Sequence, residues 1–112
     1  MAKKLFISLP MRGKHPEELY DTMLDICEKV NNALKDDGPF EFINTIWNDS
    51  EPEDIKHHTY YLGKSISAMS QADLVVFHPN WHTAPGCVIE YEICKYYKIP
   101  YYMLSFDSSE GE

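Results

Sequence analysis

The sequence feature that most constrains the fold is a short, continuous apolar run at residues 73–77 (DLVVF). A strand that is apolar at successive positions, without alternation, is typical of a strand buried on both faces. Such strands belong to parallel sheets. The run therefore predicts an α/β fold in which residues 73–77 form a buried strand of a parallel sheet.

Three further segments have the length and composition of strands. Residues 4–8 (KLFIS) form an apolar run that stops before Pro10, because proline cannot donate to a strand ladder. Residues 40–46 alternate and are rich in aromatic and β-branched side chains, and residues 99–104 form the last strand. The sequence thus predicts four strands.

Helices are predicted between these strands. Apolar residues recur at helical spacing over residues 17–34, and the acidic pair before Gly38 ends the pattern. Residues 55–69 and about 85–97 form the second and third helices. The order β-α-β-α-β-α-β folds, by the rules of handedness and adjacency, into a three-layer sandwich with helices on both faces of a parallel sheet of four to five strands.

Length and composition limit the function classes. A chain of 112 residues is long enough for one core, which we place at residues 1–104, with a polar tail at 105–112. The net charge of −8, without a basic cluster, excludes a duplex nucleic-acid binder but allows a single nucleotide as ligand. No apolar run approaches the roughly 20 residues of a membrane helix, and residues 1–11 resemble a strand more than a signal peptide, so we expect a cytoplasmic protein.

The cysteines and histidines do not predict a metal site. Cys27, Cys87 and Cys94 have no CxxC spacing and lie among apolar neighbours, as buried reduced thiols do. His57 and His58 are adjacent, so on a helix they point apart. We expect neither a metal nor a cofactor.

Ligands of parallel α/β sheets bind beyond the carboxyl ends of the strands. This rule selects the loop after strand one, the loop from Trp47 onward, and residues 78–86 (HPNWHTAPG). Arg12, Gly13 and Lys14 in the first loop could bind phosphate, although a turn with ordinary surface cations has the same composition.

The loop after the third strand carries His78, Asn80, Trp81 and His82, which could hold a base and a sugar. The alternative is that its histidines are merely exposed to solvent, whereas a tryptophan is less often left exposed. Asp73 lies at the opposite end of its strand and is expected to be structural.

Glu90 lies in the first turns of the third helix, with Gly86 four residues before it and Cys94 four residues after it. A face of small residues around a carboxylate suits a ligand site, but a carboxylate near a helix N-terminus also simply stabilises the helix dipole. A carboxylate can attack the anomeric carbon of a glycoside, and a second group must then help the base depart.

Four segments together resemble the nucleoside 2-deoxyribosyltransferase-like family, in particular small phage and bacterial proteins related to the deoxynucleoside-monophosphate N-glycosidases. They are residues 7–14 (ISLPMRGK), 60–66 (YYLGKSI), 70–77 (SQADLVVF), and Trp81 followed by 84–90 (APGCVIE). The resemblance implies a flavodoxin-like sheet, a nucleophilic glutamate at Glu90, and a homo-oligomer whose subunits help complete each other's sites. The residues it implies for substrate binding, together with those selected by the loops, are Ser8, Pro10, Met11, Arg12, Gly13, Ser65, His78, Asn80, Trp81 and Gly86.

The chain departs from the family pattern at three positions. Ser65 stands where the characterised enzymes have an acid on the second helix, Ala84 where they have a hydroxyl or acid, and Pro85 where a cation is expected. Three functions therefore stay open: a deoxyribosyltransferase or N-glycosidase acting on a nucleoside or its monophosphate, a non-catalytic protein that binds or sequesters a nucleotide, and an NAD glycohydrolase.

Overall fold

A computed structural model of the chain describes residues 2–11, 14–46 and 57–105, apart from the side chains of His57 and His58. Within these ranges four strands alternate with three α-helices, and a single 3₁₀ turn precedes the last helix. The strands and helices are β1 (Lys3–Ser8), α1 (Pro16–Ala33), β2 (Phe40–Phe42), α2 (His57–Met69), β3 (Leu74–Phe77), the 3₁₀ turn Trp81–Thr83, α3 (Pro85–Tyr97) and β4 (Tyr101–Met103).

The four strands form one parallel sheet in the order β2-β1-β3-β4. The chain leaves β1 toward one edge of the sheet and returns to β3 on the other side of β1, which is the strand order of a flavodoxin-like fold. The predicted α/β sandwich is confirmed. The reversal of direction lies between β1 and β3, so the expected ligand crevice lies beyond Ser8 and Phe77.

Each face of the sheet carries its own apolar core. Alternating side chains of β1 point to opposite faces, so Leu5 and Ile7 pack against α1, whereas Phe6 packs on the other side with Met69 of α2 and Cys94 of α3. The three cysteines are free and buried, as their apolar neighbours predict. Both faces of the central strands are therefore covered, which explains the unbroken apolar run in β3.

The helix α1 follows directly from its sequence. Pro16 occupies the first turn, where its missing N–H costs nothing, and Glu17 and Glu18 favour the positive end of the helix dipole. One face is buried, and it consists of Leu19, Met23, Ile26, Cys27 and Val30. The predicted helix at residues 17–34 is confirmed to within one residue at each end.

The strand β2 is shorter than the predicted range of 40–46. Its ladder with β1 continues as far as the N–H of Ile43, which donates to the carbonyl of Leu5. The Asn44 side chain then accepts a hydrogen bond from the N–H of Ile46 at 2.9 Å, which forms a local turn. The alternating composition of this segment did not reveal that turn.

Several predicted features lie outside the described residues: Arg12, Gly13, the loop at 48–54 with Trp47 before it, the first two residues of the predicted second helix, and all but Ser105 of the tail. None of the helices in the described ranges combines the length and apolarity that a membrane span requires.

Candidate functional site

The last residue of β1 and the third helix meet at a buried hydrogen bond. Because β1 and β3 are parallel neighbours and α3 follows β3, the first turns of α3 lie beside the carboxyl end of β1. There the Ser8 hydroxyl donates to Glu90 Oε1 over 2.6 Å. Ser8 is 1% exposed and Glu90 is 5% exposed. The contact joins two residues that are 82 positions apart in the sequence.

Burial governs the protonation of Glu90. Removal from water raises the pKa of its carboxyl to about 7, and the hydrogen bond from Ser8 acts in the opposite direction by stabilising the ionised form. A carboxyl with a pKa near 7 is divided between its ionised and protonated forms at neutral pH. Such a group can act as a nucleophile in one form and exchange a proton through the other.

Two cysteines lie on the Glu90 side of α3. Cys87 precedes Glu90 by one turn and Cys94 follows it by one turn, and both thiols are buried. Burial first, and the nearby Glu90 charge in addition, raise the pKa of each thiol to about 11. Both cysteines are therefore neutral at physiological pH, which argues against a thiolate nucleophile at this site.

A cavity of about 530 Å³ opens at this end of the sheet. Its volume is within the range of small-molecule sites. Its walls come from the loop after β1, from α2 and from the start of α3: Leu9, Pro10, Met11, Thr59, Leu62, Thr83, Ala84, Pro85, Gly86, Cys87 and Ile89. Glu90 does not form part of these walls. It lies one turn further along α3 than Gly86 and Cys87, and its carboxylate is covered, with 5% exposure.

The start of α3 borders the cavity without a capping side chain. Ala84 is the N-cap and offers no side-chain acceptor, and Pro85 supplies no N–H at the first helical position. The N–H groups of Gly86 and Cys87 precede the first intrahelical hydrogen bond, which Val88 donates to Ala84. This end of the helix favours an anionic or strongly polar ligand group.

His78 and Asn80, which follow β3, bond to each other and do not face the cavity as ligand contacts would. His78 Nδ1 accepts a hydrogen bond from the Asn80 N–H at 2.9 Å, which places any ring proton on Nε2. Burial, and then the charge of Lys14, lower the pKa of His78, so it is neutral at pH 7. Neither His78 nor Asn80 lines the cavity.

Trp81 belongs to an aromatic cluster on the α3 face of the sheet. Its ring lies 4.8 Å from that of Tyr91 and 6.0 Å from that of Phe77, measured between ring centroids. The tryptophan therefore packs against the core and is not a wall of the cavity, where a base would stack. An apolar core contact and a base-stacking ring look the same in a sequence.

Three of the residues predicted to bind substrate line the cavity: Pro10, Met11 and Gly86. Ser8 lies deeper, bonded to Glu90. Ser65, one turn after Leu62 on α2, is half-buried but outside the cavity walls. Arg12 and Gly13 are outside the described residues.

Sequence reasoning missed several walls of the cavity, among them Thr59, Leu62 and Cys87. Helical spacing offered a signal for each. Leu62 precedes Ser65 by three residues, Thr59 precedes Leu62 by three, and Cys87 precedes Glu90 by three. Within the described ranges, no three His, Cys, Asp or Glu side chains are grouped as metal ligands.

Comparison of the chain with models of known protein families, with curated proteins and with solved structures gives no significant match. The geometry of the site therefore provides the basis for a functional proposal.

Proposed function

We propose that the protein breaks the N-glycosidic bond of a nucleoside or nucleotide, as a hydrolase or a transferase, with Glu90 as the nucleophile. The observation that carries the proposal is the buried Ser8–Glu90 hydrogen bond beside a nucleotide-sized cavity at the carboxyl ends of β1 and β3. A carboxylate held by one oxygen and removed from water is suited to attack on a carbon centre that develops positive charge.

The proposed reaction uses this arrangement in two displacement steps. Ser8 fixes Glu90 Oε1, so Oε2 attacks the anomeric carbon while the bond from that carbon to the base nitrogen breaks. The bonding electron pair leaves with the base, and the sugar becomes an ester of Glu90. Water, or the nitrogen of a second base, then displaces Glu90 from the sugar, and the proton that this second nucleophile loses neutralises the departed base. Hydrolysis consumes one water molecule and releases the base and the free sugar, or the sugar phosphate when the substrate is a monophosphate.

The N-terminus of α3 supports a polar or anionic group on the ligand. Its unpaired N–H groups at Gly86 and Cys87 lie at the cavity wall, where they would stabilise the phosphate of a nucleoside monophosphate. The apolar walls supplied by Leu9, Leu62 and Ile89 suit the faces of a base.

A panel assay tests this function. Wild-type protein is incubated separately with deoxyribonucleosides, ribonucleosides, their monophosphates and NAD, and released bases are identified by mass spectrometry. We expect one class of substrate to lose its base, and Glu90→Gln to abolish the release while circular dichroism shows an intact fold. Glu92→Gln is the matched control, because Glu92 is a more exposed acid of the same helix, paired with Lys95.

Two results would contradict the proposal. One is wild-type protein that frees no base from any member of the panel. The other is a Glu90→Gln variant that retains the activity of Glu92→Gln.

The composition of the cavity walls favours a second candidate, a protein that binds a nucleotide without cleaving it. Cys87 is the only ionisable side chain among the described wall residues, so this part of the chain supplies no acid to protonate a departing base. Such protonation typically contributes 10²- to 10⁴-fold to the rate. Calorimetry separates the candidates, since tight binding of a nucleotide that stays intact would favour the second.

The same composition makes NAD a necessary member of the panel. Nicotinamide is cationic while attached to the ribose and leaves as a neutral molecule, so its release needs no proton from the protein. Base release from NAD alone would identify the chemistry as that of an NAD glycohydrolase, still with Glu90 as the attacking group.

A further inference from the structure

Buried polar side chains are concentrated at one end of the molecule. In the described part of the chain, three residues with polar or charged side chains are buried: Ser8, Thr45 and Glu90. A polar group removed from water is costly unless it is hydrogen-bonded. Ser8 and Glu90 bond to each other. Thr45 is 2% exposed, and its Oγ1 has no hydrogen-bond partner within the described residues.

Thr45 lies just beyond β2, next to the carboxyl end of β1. The parallel ladder pairs Leu5 with Phe42, and the Ile43 N–H still donates to the Leu5 carbonyl. Thr45 follows Ile43 by two residues and Ser8 follows Leu5 by three, so both lie beyond the last pairs of this ladder, at the carboxyl end of the sheet. The unpaired hydroxyl is therefore at the same end of the sheet as the serine that holds Glu90.

The neighbours of Thr45 indicate the side of the sheet to which it belongs. Ile43, two residues earlier, packs into the core that contains Phe6 and Cys94 of α3. Ile46, the next residue, packs into the opposite core, against α1. Alternation along the chain therefore places the Thr45 side chain on the same side as Ile43, which is also the side of Glu90.

We propose that the Thr45 hydroxyl is a substrate-binding group that pairs with a hydroxyl of the sugar. The inference depends on the proposed function, because the position of Glu90 relative to the substrate defines what Thr45 meets. A nucleophile approaches to about 3–3.5 Å of the reacting carbon, and neighbouring strands are about 4.8 Å apart. A group at the carboxyl end of the neighbouring strand, on the side of Glu90, therefore faces the part of the ligand nearest to Glu90, which is the sugar. The polar groups of a sugar are mainly hydroxyls, which pair well with threonine.

This proposal explains why a buried hydroxyl lacks a partner within the protein. Glu90 and Thr45 are both buried, and a sugar bound against Glu90 would supply the hydrogen bond that Thr45 lacks. A structural role would require a hydrogen bond within the protein, and the described residues offer none.

The test compares Thr45→Val with Thr45→Ser and the wild type. Valine keeps the shape of threonine and removes the hydroxyl, so we expect the melting temperature of the ligand-free protein to stay equal or to rise. We expect kcat/KM for the accepted nucleoside or nucleotide to fall about 5- to 100-fold, because the sugar hydroxyl would then be buried without a hydrogen-bond partner. Thr45→Ser should retain most of the activity.

Substrate analogues identify the contact. The 2′-, 3′- and 5′-deoxy forms of the accepted substrate are compared between wild type and Thr45→Val. For one analogue, which lacks the hydroxyl that Thr45 binds, the two proteins should react at equal rates, while the other analogues keep the full difference. If the accepted substrate is a 2′-deoxynucleotide, the series consists of its 3′- and 5′-modified forms.

The outcomes separate the two proposals. Wild type that cleaves its substrate while Thr45→Val cleaves it equally fast overturns the role of Thr45 alone. An equal loss with every analogue, or a loss of activity with a lowered melting temperature, also overturns it, because the hydroxyl would then be structural. Wild type that neither binds nor cleaves any compound of the panel overturns the proposed function and this inference with it.

Discussion

Two opposing influences act on the Glu90 carboxyl at the scale of single residues. Burial favours the protonated form, and the hydrogen bond from Ser8 favours the ionised form. The sequence pointed to Glu90 through its small helical neighbours and its resemblance to a family nucleophile. It could not reveal the partner, because a contact between residues 82 positions apart depends on the strand order.

Removal of the Ser8 hydroxyl should change the pH dependence of activity. In Ser8→Ala the carboxyl loses its hydrogen-bond donor, so the pKa of Glu90 should rise above its value of about 7. If ionised Glu90 attacks the sugar, the ascending limb of the kcat/KM profile moves to higher pH, with a larger loss at pH 6 than at pH 9. The measurement is a pH–rate profile for wild type and variant.

A matched control for this experiment is Ser67→Ala, because Ser67 is exposed on α2. Its profile should coincide with that of the wild type. A Ser8→Ala profile that is unshifted, or shifted to lower pH, would contradict the role assigned to the hydrogen bond.

At the scale of elements, α3 both presents Glu90 and ends in an unusual conformation. Lys98, its C-cap residue, has a φ of 56°, in the left-handed region that glycine adopts most easily. The N–H of Lys98 donates to the Cys94 carbonyl and closes the last turn. A side chain with a Cβ is strained in this conformation by about 1–2 kcal/mol.

Lys98→Gly should therefore stabilise the protein. We expect the free energy of unfolding to increase by up to about 1 kcal/mol, since the relief of strain is partly offset by the greater freedom of glycine in the unfolded chain. Urea denaturation measures the change. Lys98→Ala keeps the Cβ and serves as the control. A glycine variant no more stable than the alanine variant would show that the conformation is not strained.

The elements also show where sequence patterns stop being informative. The helix α1 was predicted to within one residue at each end because its buried face repeats at helical spacing. The strand β2 was predicted too long, because the alternation of residues 40–46 continues past Phe42. There the Asn44 side chain accepts a hydrogen bond from the Ile46 N–H and forms a turn. Such a side-chain hydrogen bond competes with strand pairing, and the composition of the segment does not reveal it.

At the scale of the whole molecule, the strand order determines both stability and the site. The strands β1 and β3 are central and lie between two apolar cores, whereas β2 and β4 form the edges of the described sheet. The unbroken apolar run of β3 made this arrangement predictable. The cavity was not predictable in the same way, because its walls come from three segments that meet only in the folded chain.

This arrangement predicts the pattern of amide hydrogen exchange. The amides of β1 and β3 should exchange most slowly, because they are exposed only by global unfolding, and those of β2 and β4 should exchange faster through local opening at the edges. Exchange followed by mass spectrometry under native conditions measures this order. Slower exchange in β4 than in β1 would show that the β4 edge is covered by a further partner.

The burial of Glu90 also couples folding to the uptake of a proton. The pKa of Glu90 lies at about 7 in the folded protein, against an ordinary value of 4.5. The folded state therefore binds this proton more tightly than the unfolded chain does. Protonation of Glu90 therefore stabilises the folded state by roughly 3 kcal/mol relative to the ionised form. This stabilisation is fully present below the pKa of the unfolded chain, 4.5, and is lost as the pH rises through the pKa of the folded protein, about 7. At neutral pH, where the Glu90 carboxyl is divided between its ionised and protonated forms, most of this stabilisation has already been lost.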